Sequence, residues 1–173
     1  HDGIANRVGI RRDRPLLAIR EVVQALRLLF SGRSVRSQGQ YVSLDNISLT
    51  AARKRPEQRR IPIYIGATGP QLMALAGEIA DGVLLNYMVS PQYTQSAVTQ
   101  IQIGSHKARR PLDDVDRVQL ILCSVSRNRE EALNQARRVV LQYIRQQPTL
   151  MRASGVRQEL VDELWQALPW PAP

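Results

Sequence analysis

The chain has 173 residues, 43% of them hydrophobic, and carries 24 Lys and Arg against 15 Asp and Glu, for a formal charge of +9. That size suits one domain with a real core, and the apolar content argues against disorder. No apolar run approaches the roughly 20 residues of a membrane span, His1 to Arg14 lack a signal peptide's apolar middle, and the single Cys123 excludes an internal disulfide, so a cytoplasmic protein is expected.

From Pro15 to Phe30, apolar residues at Leu16, Ile19, Val22, Val23, Leu26, Leu29 and Phe30 follow the spacing of one helix face. Pro15 suits the first turn of that helix, and Gly32 suits its stop. Ser34 to Leu49 has period-two character broken by Gly39, and reads as a short hairpin or extended excursion. The run Arg53-Lys54-Arg55 with Arg59-Arg60 invites a nucleic-acid reading. It has no interleaved aromatics on which bases would stack, so it reads as a solvated loop and no nucleic-acid partner is expected.

Ile61 to Ile65 is a short, almost wholly apolar run of the kind found in strands buried on both faces. A glycine-containing turn follows, then a helix from about Pro70 to Ala80 with Leu72, Met73, Leu75, Ala76 and Ile79 inward. Asp81-Gly82 turns into a second buried run, Val83 to Leu85, and Ser90-Pro91 opens a helix that reaches about Ala108. Val118 to Val125 reads as a third strand, with Cys123 inside it as a buried small hydrophobe. Asn128, with Glu131 three residues on, suits a capping box for a helix whose stripe is Ala132, Leu133, Ala136, Val139, Val140, Tyr143 and Ile144. A last helix is expected from about Arg157 to Leu168. Buried strands alternating with helices imply a parallel α/β sheet with right-handed crossovers. A closed eightfold barrel takes about 250 residues, so the pattern describes part of one.

Ligands of such folds bind at the carboxyl ends of the strands. There the chain carries Gly66-Ala67-Thr68-Gly69-Pro70-Gln71. Two readings stand. The glycines simply make a tight turn, or they let an anion approach the first amides of the Pro70 helix, which have no partner inside it. Pro70 has no N–H, so the donors on offer are Thr68, Gly69, Gln71 and Leu72. The pattern is neither the dinucleotide fingerprint nor the Walker loop.

Ile63-Tyr64-Ile65-Gly66-Ala67-Thr68-Gly69-Pro70, followed by Ala76-Gly77-Glu78-Ile79-Ala80-Asp81-Gly82-Val83, resembles the luciferase-like flavin-dependent monooxygenases and reductases. The resemblance is to the methylenetetrahydromethanopterin reductase-like branch, which uses a deazaflavin. Arg20-Glu21, Leu29-Phe30-Ser31-Gly32, Gly39-Gln40-Tyr41, Ser90-Pro91 and Gly104 to Arg110 extend it along nearly the whole chain. It implies a single partial (β/α)8 TIM-barrel domain over residues 1–173, supplying roughly strands five to seven with their helices. It further implies an oxidoreductase that moves hydride between coenzyme F-420 or FMN and a small organic substrate, as a homo-oligomer when full length. Ala67, Thr68, Gly69, Pro70 and Gln71 would then lie against the coenzyme and its phosphate. The family's proton-handling residues sit on earlier strands, so no catalytic residue is assigned, and a fragment of this extent is expected to be inactive alone.

Asn86 and Tyr87 end the second strand on the same rim, as pocket lining or as loop anchors. Ser124 and Ser126 end the third, where capping is an equal reading. Asp81 reads as a turn residue at the opposite face, and Glu21 as the partner of neighbouring arginines on its helix. His1 and His106 stand apart with no ligand constellation, so no metal is expected. A non-catalytic barrel remnant serving as a binding or assembly module is the alternative function, and a phosphate-binding barrel unrelated to flavins is a third.

Overall fold

The computed structural model describes Arg7, residues 13–49 and residues 61–167. The basic run between Arg53 and Arg60 lies outside the described residues. Helix α1 spans Pro15–Phe30 with proline in its first turn, and it ends where the Ser31 and Gly32 amides close onto the Leu28 and Leu29 carbonyls. Gly32 stands at φ 73°, a left-handed conformation that costs glycine least.

Strands β1 (Val35–Gln38) and β2 (Ser43–Ile47) pair antiparallel, so the excursion is a hairpin. Glu21 of α1 does not pair with arginines there. Its carboxylate accepts the backbone N–H groups of Gln40, Tyr41 and Val42 at 3.0, 2.7 and 3.0 Å. The Tyr41 amide above all, then those of Val42 and Gln40, hold the Glu21 carboxyl below the usual glutamate range, against the opposing effect of its desolvation. A Cβ on Gly39 would strike that carboxylate, which is why glycine sits at the hairpin's bend.

The central sheet is parallel, in the order β3 (Tyr64–Ala67), β4 (Gly82–Leu85), β5 (Asp116–Gln119). Helix α2 (Pro70–Ile79) connects the first pair and α3 (Pro91–Lys107) the second. These helices cross at Gly77 and Gly104, where a Cβ would collide with the backbone of Ile101 and of Ala74 respectively. Such glycines cost helix propensity and gain close packing. Ile63, Ile65, Ala67, Met73, Ala76, Val83, Leu85, Ala97, Ile101 and Val115 form the core between sheet and helices.

The third strand departs from expectation. Only Asp116–Gln119 pairs with β4, and the last backbone bond runs from the Leu120 amide to the Leu85 carbonyl. Beyond it the chain runs on without a neighbouring strand among the described residues, leaving Ile121 78% and Val125 90% exposed and Cys123 exposed as well. The apolar run is real, but β4 offers four residues to pair with and no strand among the described residues covers the outer edge. Cys123 is therefore not a buried residue.

Helix α4 (Arg129–Gln146) starts on Asn128, whose side chain accepts the Glu130 and Glu131 amides. The expected box closes through a third residue. Glu131 takes the Ser126 hydroxyl at 2.7 Å, and that same oxygen accepts the Asn128 amide at 3.1 Å. Ser124 donates to the Ala132 carbonyl, so both serines anchor α4. Pro148 opens a separate short helix, α5 (Pro148–Ala153), and α6 spans Gln158–Ala167. Tyr143, Ile144, Leu150, Met151 and Val161 join these helices to the same core.

Candidate functional site

The sheet's amino end is closed by charge. Asp81 is more than a turn residue: it accepts the Ile63 amide at 2.7 Å and pairs with Arg27 at 2.9 Å, while its carbonyl takes the Asp116 amide. Arg110 reaches the end of α2 and donates to the carbonyls of Gly77 and Ala80, both at 2.6 Å. These are carbonyls that a helix leaves without internal partners. Glu78 joins three helices by accepting from Arg20 and Lys107, and the Arg20 guanidinium holds its carboxyl below the usual range. Tyr64 donates to Asp116 at 2.7 Å, which raises its own pKa.

The carboxyl end is built differently. Gly66 and Ala67 belong to strand β3, and Ala67 is buried, so the turn proper begins at Thr68. Gly69 is the N-cap of α2 with φ −110° and ψ 152°, a conformation open to any residue, and Gly66 has no positive φ either. Neither glycine is there for torsional freedom. A Cβ on Gly66 or Gly69 would meet nothing within 4 Å: Gly66 opens onto the sheet face opposite the helices, and Gly69 onto the space at the start of α2.

Among the described residues no side chain caps α2, whose N-cap is Gly69, and its first turn holds no acidic residue. By contrast, Ser90 caps α3 by accepting the Tyr93 amide. Thr68 is exposed and does not cap α2; its carbonyl accepts the Tyr93 hydroxyl at 2.6 Å. A trans peptide points its C=O and N–H in opposite directions. With the Thr68 carbonyl held toward buried Tyr93, the Gly69 N–H is turned away from α3. Gln71 parts company with the others: its side chain lines a separate cavity of about 420 Å³ among α1, α2 and α3, beside Arg20 and Glu78. Only its backbone belongs to the turn.

Asn86 and Tyr87 follow β4 onto this rim. The Asn86 side-chain oxygen accepts the Tyr87 amide at 3.1 Å, and the Asn86 carbonyl accepts the Gln119 side chain. Tyr87 packs against Tyr143 of α4, ring centroids 4.4 Å apart at 37°. Met88 next door sits at φ 57°, a strained setting for a non-glycine residue of the kind that gathers at functional sites. Burial pushes the Tyr143 hydroxyl up to about 12, with the neighbouring Tyr87 and Tyr93 phenols adding to the effect. Burial likewise raises Tyr93. Both phenols therefore stay protonated at neutral pH and serve as hydrogen-bond donors.

The sequence alone placed Asn86 and Tyr87 on the rim but missed Tyr93 and Tyr143. Tyr143 lies in the apolar stripe of an amphipathic helix, which is also how a plain core tyrosine looks. Among the described residues, no three His, Cys, Asp or Glu gather where they would hold a metal ion, and no helix is long and apolar enough to cross a membrane.

A family model described as luciferase-like monooxygenase matches residues 2–168. The chain is 34% identical to a 5,10-methylenetetrahydromethanopterin reductase of Archaeoglobus fulgidus, over 94% of this chain and 47% of that protein. It is 33% identical to an F-420-dependent glucose-6-phosphate dehydrogenase of Microbacterium testaceum, over 69% of this chain and 34% of that one. The structure of the coenzyme F-420-dependent tetrahydromethanopterin reductase of Methanopyrus kandleri superposes with a TM-score of 0.75 at 28% identity, over 91% of this chain and 45% of that one. The chain thus spans about half the length of the reductases it matches. On these grounds, and with the α/β architecture in agreement, the chain belongs to the luciferase-like monooxygenase family.

Proposed function

We propose that the chain is the coenzyme-holding portion of a deazaflavin-dependent oxidoreductase, built from strands five to seven of a (β/α)8 barrel. The observation that carries this reading is the uncapped amino end of α2 beneath the open space at Gly69. A phosphate suits that place because unpartnered amides and the helix dipole both favour negative charge. The names of the reductase and dehydrogenase relatives support coenzyme F-420 over FMN.

When bound, the coenzyme supplies the hydride chemistry, and the protein binds, orients and shields it. Ala67 forms the buried floor, the amides from Thr68 to Leu72 other than that of Pro70 face the anion, and Asn86 and Tyr87 flank the ring and a small organic substrate. The described rim holds neutral donors and no carboxylate or imidazole proposed to move a proton. The intact enzyme, a homo-oligomer in this reading, draws those groups from elsewhere, and residues 1–173 form one domain with it.

The test is fluorescence titration of the intact protein with coenzyme F-420 and, separately, FMN. F-420 is expected to bind the more tightly, and Gly69→Val to weaken it by about a hundredfold or more, equivalent to about 2.7 kcal/mol. The fold should survive, since a Cβ added there meets nothing within 4 Å and the Gly69 backbone conformation is open to any residue. Unchanged affinity in the variant would show that the turn is only a turn. Binding of neither coenzyme would favour a non-catalytic barrel module.

A further inference from the structure

We infer that Tyr143 is a direct ligand contact: its hydroxyl donates a hydrogen bond to an oxygen acceptor of the coenzyme held at the glycine turn. The inference rests on the coenzyme-binding reading above and extends it to a residue of α4, outside the strand–turn–helix that the sequence marks out.

The hydroxyl is buried, with the residue only 5% exposed, and among the described residues it completes no hydrogen bond of full geometry. Asn86 is a close polar neighbour and offsets a small part of the rise that burial imposes on the phenol. The Asn86 side-chain oxygen already accepts the Tyr87 amide, and neither end of that side chain completes a hydrogen bond with Tyr143. The whole hydroxyl, its hydrogen included, is thus without a partner among the described residues. A buried donor left so is costly to the free protein, an arrangement that persists where an acceptor arrives.

The surroundings point to the same ligand as the turn. Tyr143 stacks on Tyr87 at 4.4 Å and lies within electrostatic reach of Tyr93, whose own hydroxyl is committed to the Thr68 carbonyl. The three phenols and Asn86 therefore form one cluster on the sheet's carboxyl rim, and Tyr143 holds a donor still to be used.

Tyr143→Phe in the intact protein removes that hydrogen and little else. Affinity for coenzyme F-420 should fall about tenfold, while the melting temperature of the coenzyme-free protein stays level or rises, because an unsatisfied buried group has gone. A shift of the coenzyme's visible absorption band accompanying the loss locates the acceptor on the ring; loss without a shift locates it on the phosphate. Affinity within twofold of the parent, or a lowered melting temperature with unchanged affinity, overturns the assignment and makes Tyr143 a core residue. If the parent protein itself binds neither F-420 nor FMN, the coenzyme reading fails first and this assignment with it.

Discussion

The two ends of the parallel sheet are finished by opposite means. At the amino end, charged groups are matched: Asp81 with Arg27 and the Ile63 amide, Arg110 with the carbonyls ending α2, Glu78 with Arg20 and Lys107. At the carboxyl end, α2 begins uncapped and Tyr143 keeps an unused donor. In α/β barrels the amino end of the strands serves stability and the carboxyl end serves ligands. Here the division is visible residue by residue, in where polar groups are satisfied and where they are left open.

That contrast can be attacked from either end. The largest effect should come from Gly104→Val, which forces a branched side chain into the α2 backbone at Ala74. Stability should drop by more than about 3 kcal/mol in urea denaturation, beyond ordinary overpacking, because backbone cannot step aside. Arg110→Ala should cost about 1–3 kcal/mol by leaving the Gly77 and Ala80 carbonyls without their donor, with coenzyme affinity unchanged. A loss of affinity in that variant would show that the two ends are coupled.

Tyr93→Phe tests the other end. It frees the Thr68–Gly69 peptide plane, and should lower coenzyme affinity about threefold to tenfold for a stability change of about 1 kcal/mol or less. An unaltered titration curve would mean that the turn holds its shape without Tyr93. The smallest effect concerns acid. Glu78 has a folded-state pKa below its ordinary 4.5, so its contribution is complete above that value and is lost as pH falls through the folded one. Glu78→Gln should therefore flatten the acid limb of a melting-temperature profile relative to the parent, and parallel limbs would assign the acid sensitivity to other carboxylates.

Much of the fold was legible because it is written locally. The helix-face spacing of Pro15 to Phe30, the bend at Gly39 and the apolar run before Gly66 each state their structure within a few residues. The failures all involve distant partners. Glu21 was expected to meet arginines on its own helix but meets the hairpin turn. Val118 to Val125 spells a strand in pattern, yet pairing depends on neighbours that the pattern does not specify. The site divides in the same way. The positions of the turn from Thr68 to Pro70 and of Asn86 and Tyr87 after β4 were readable, whereas the place of Gln71 beside Arg20 and Glu78 and the contact of Tyr143 with Tyr87 depend on how helices pack.

The segment after β5 bears on how the chain behaves in a tube. Ile121 and Val125 face outward along a stretch with no strand beside it among the described residues. Such an edge is adhesive: extended chains add to it through their backbones whatever their sequence. Solubility of this polypeptide by itself should therefore depend steeply on its concentration, and a lysine at position 121 or 125 is the economical means of keeping it in solution for the binding experiments proposed above.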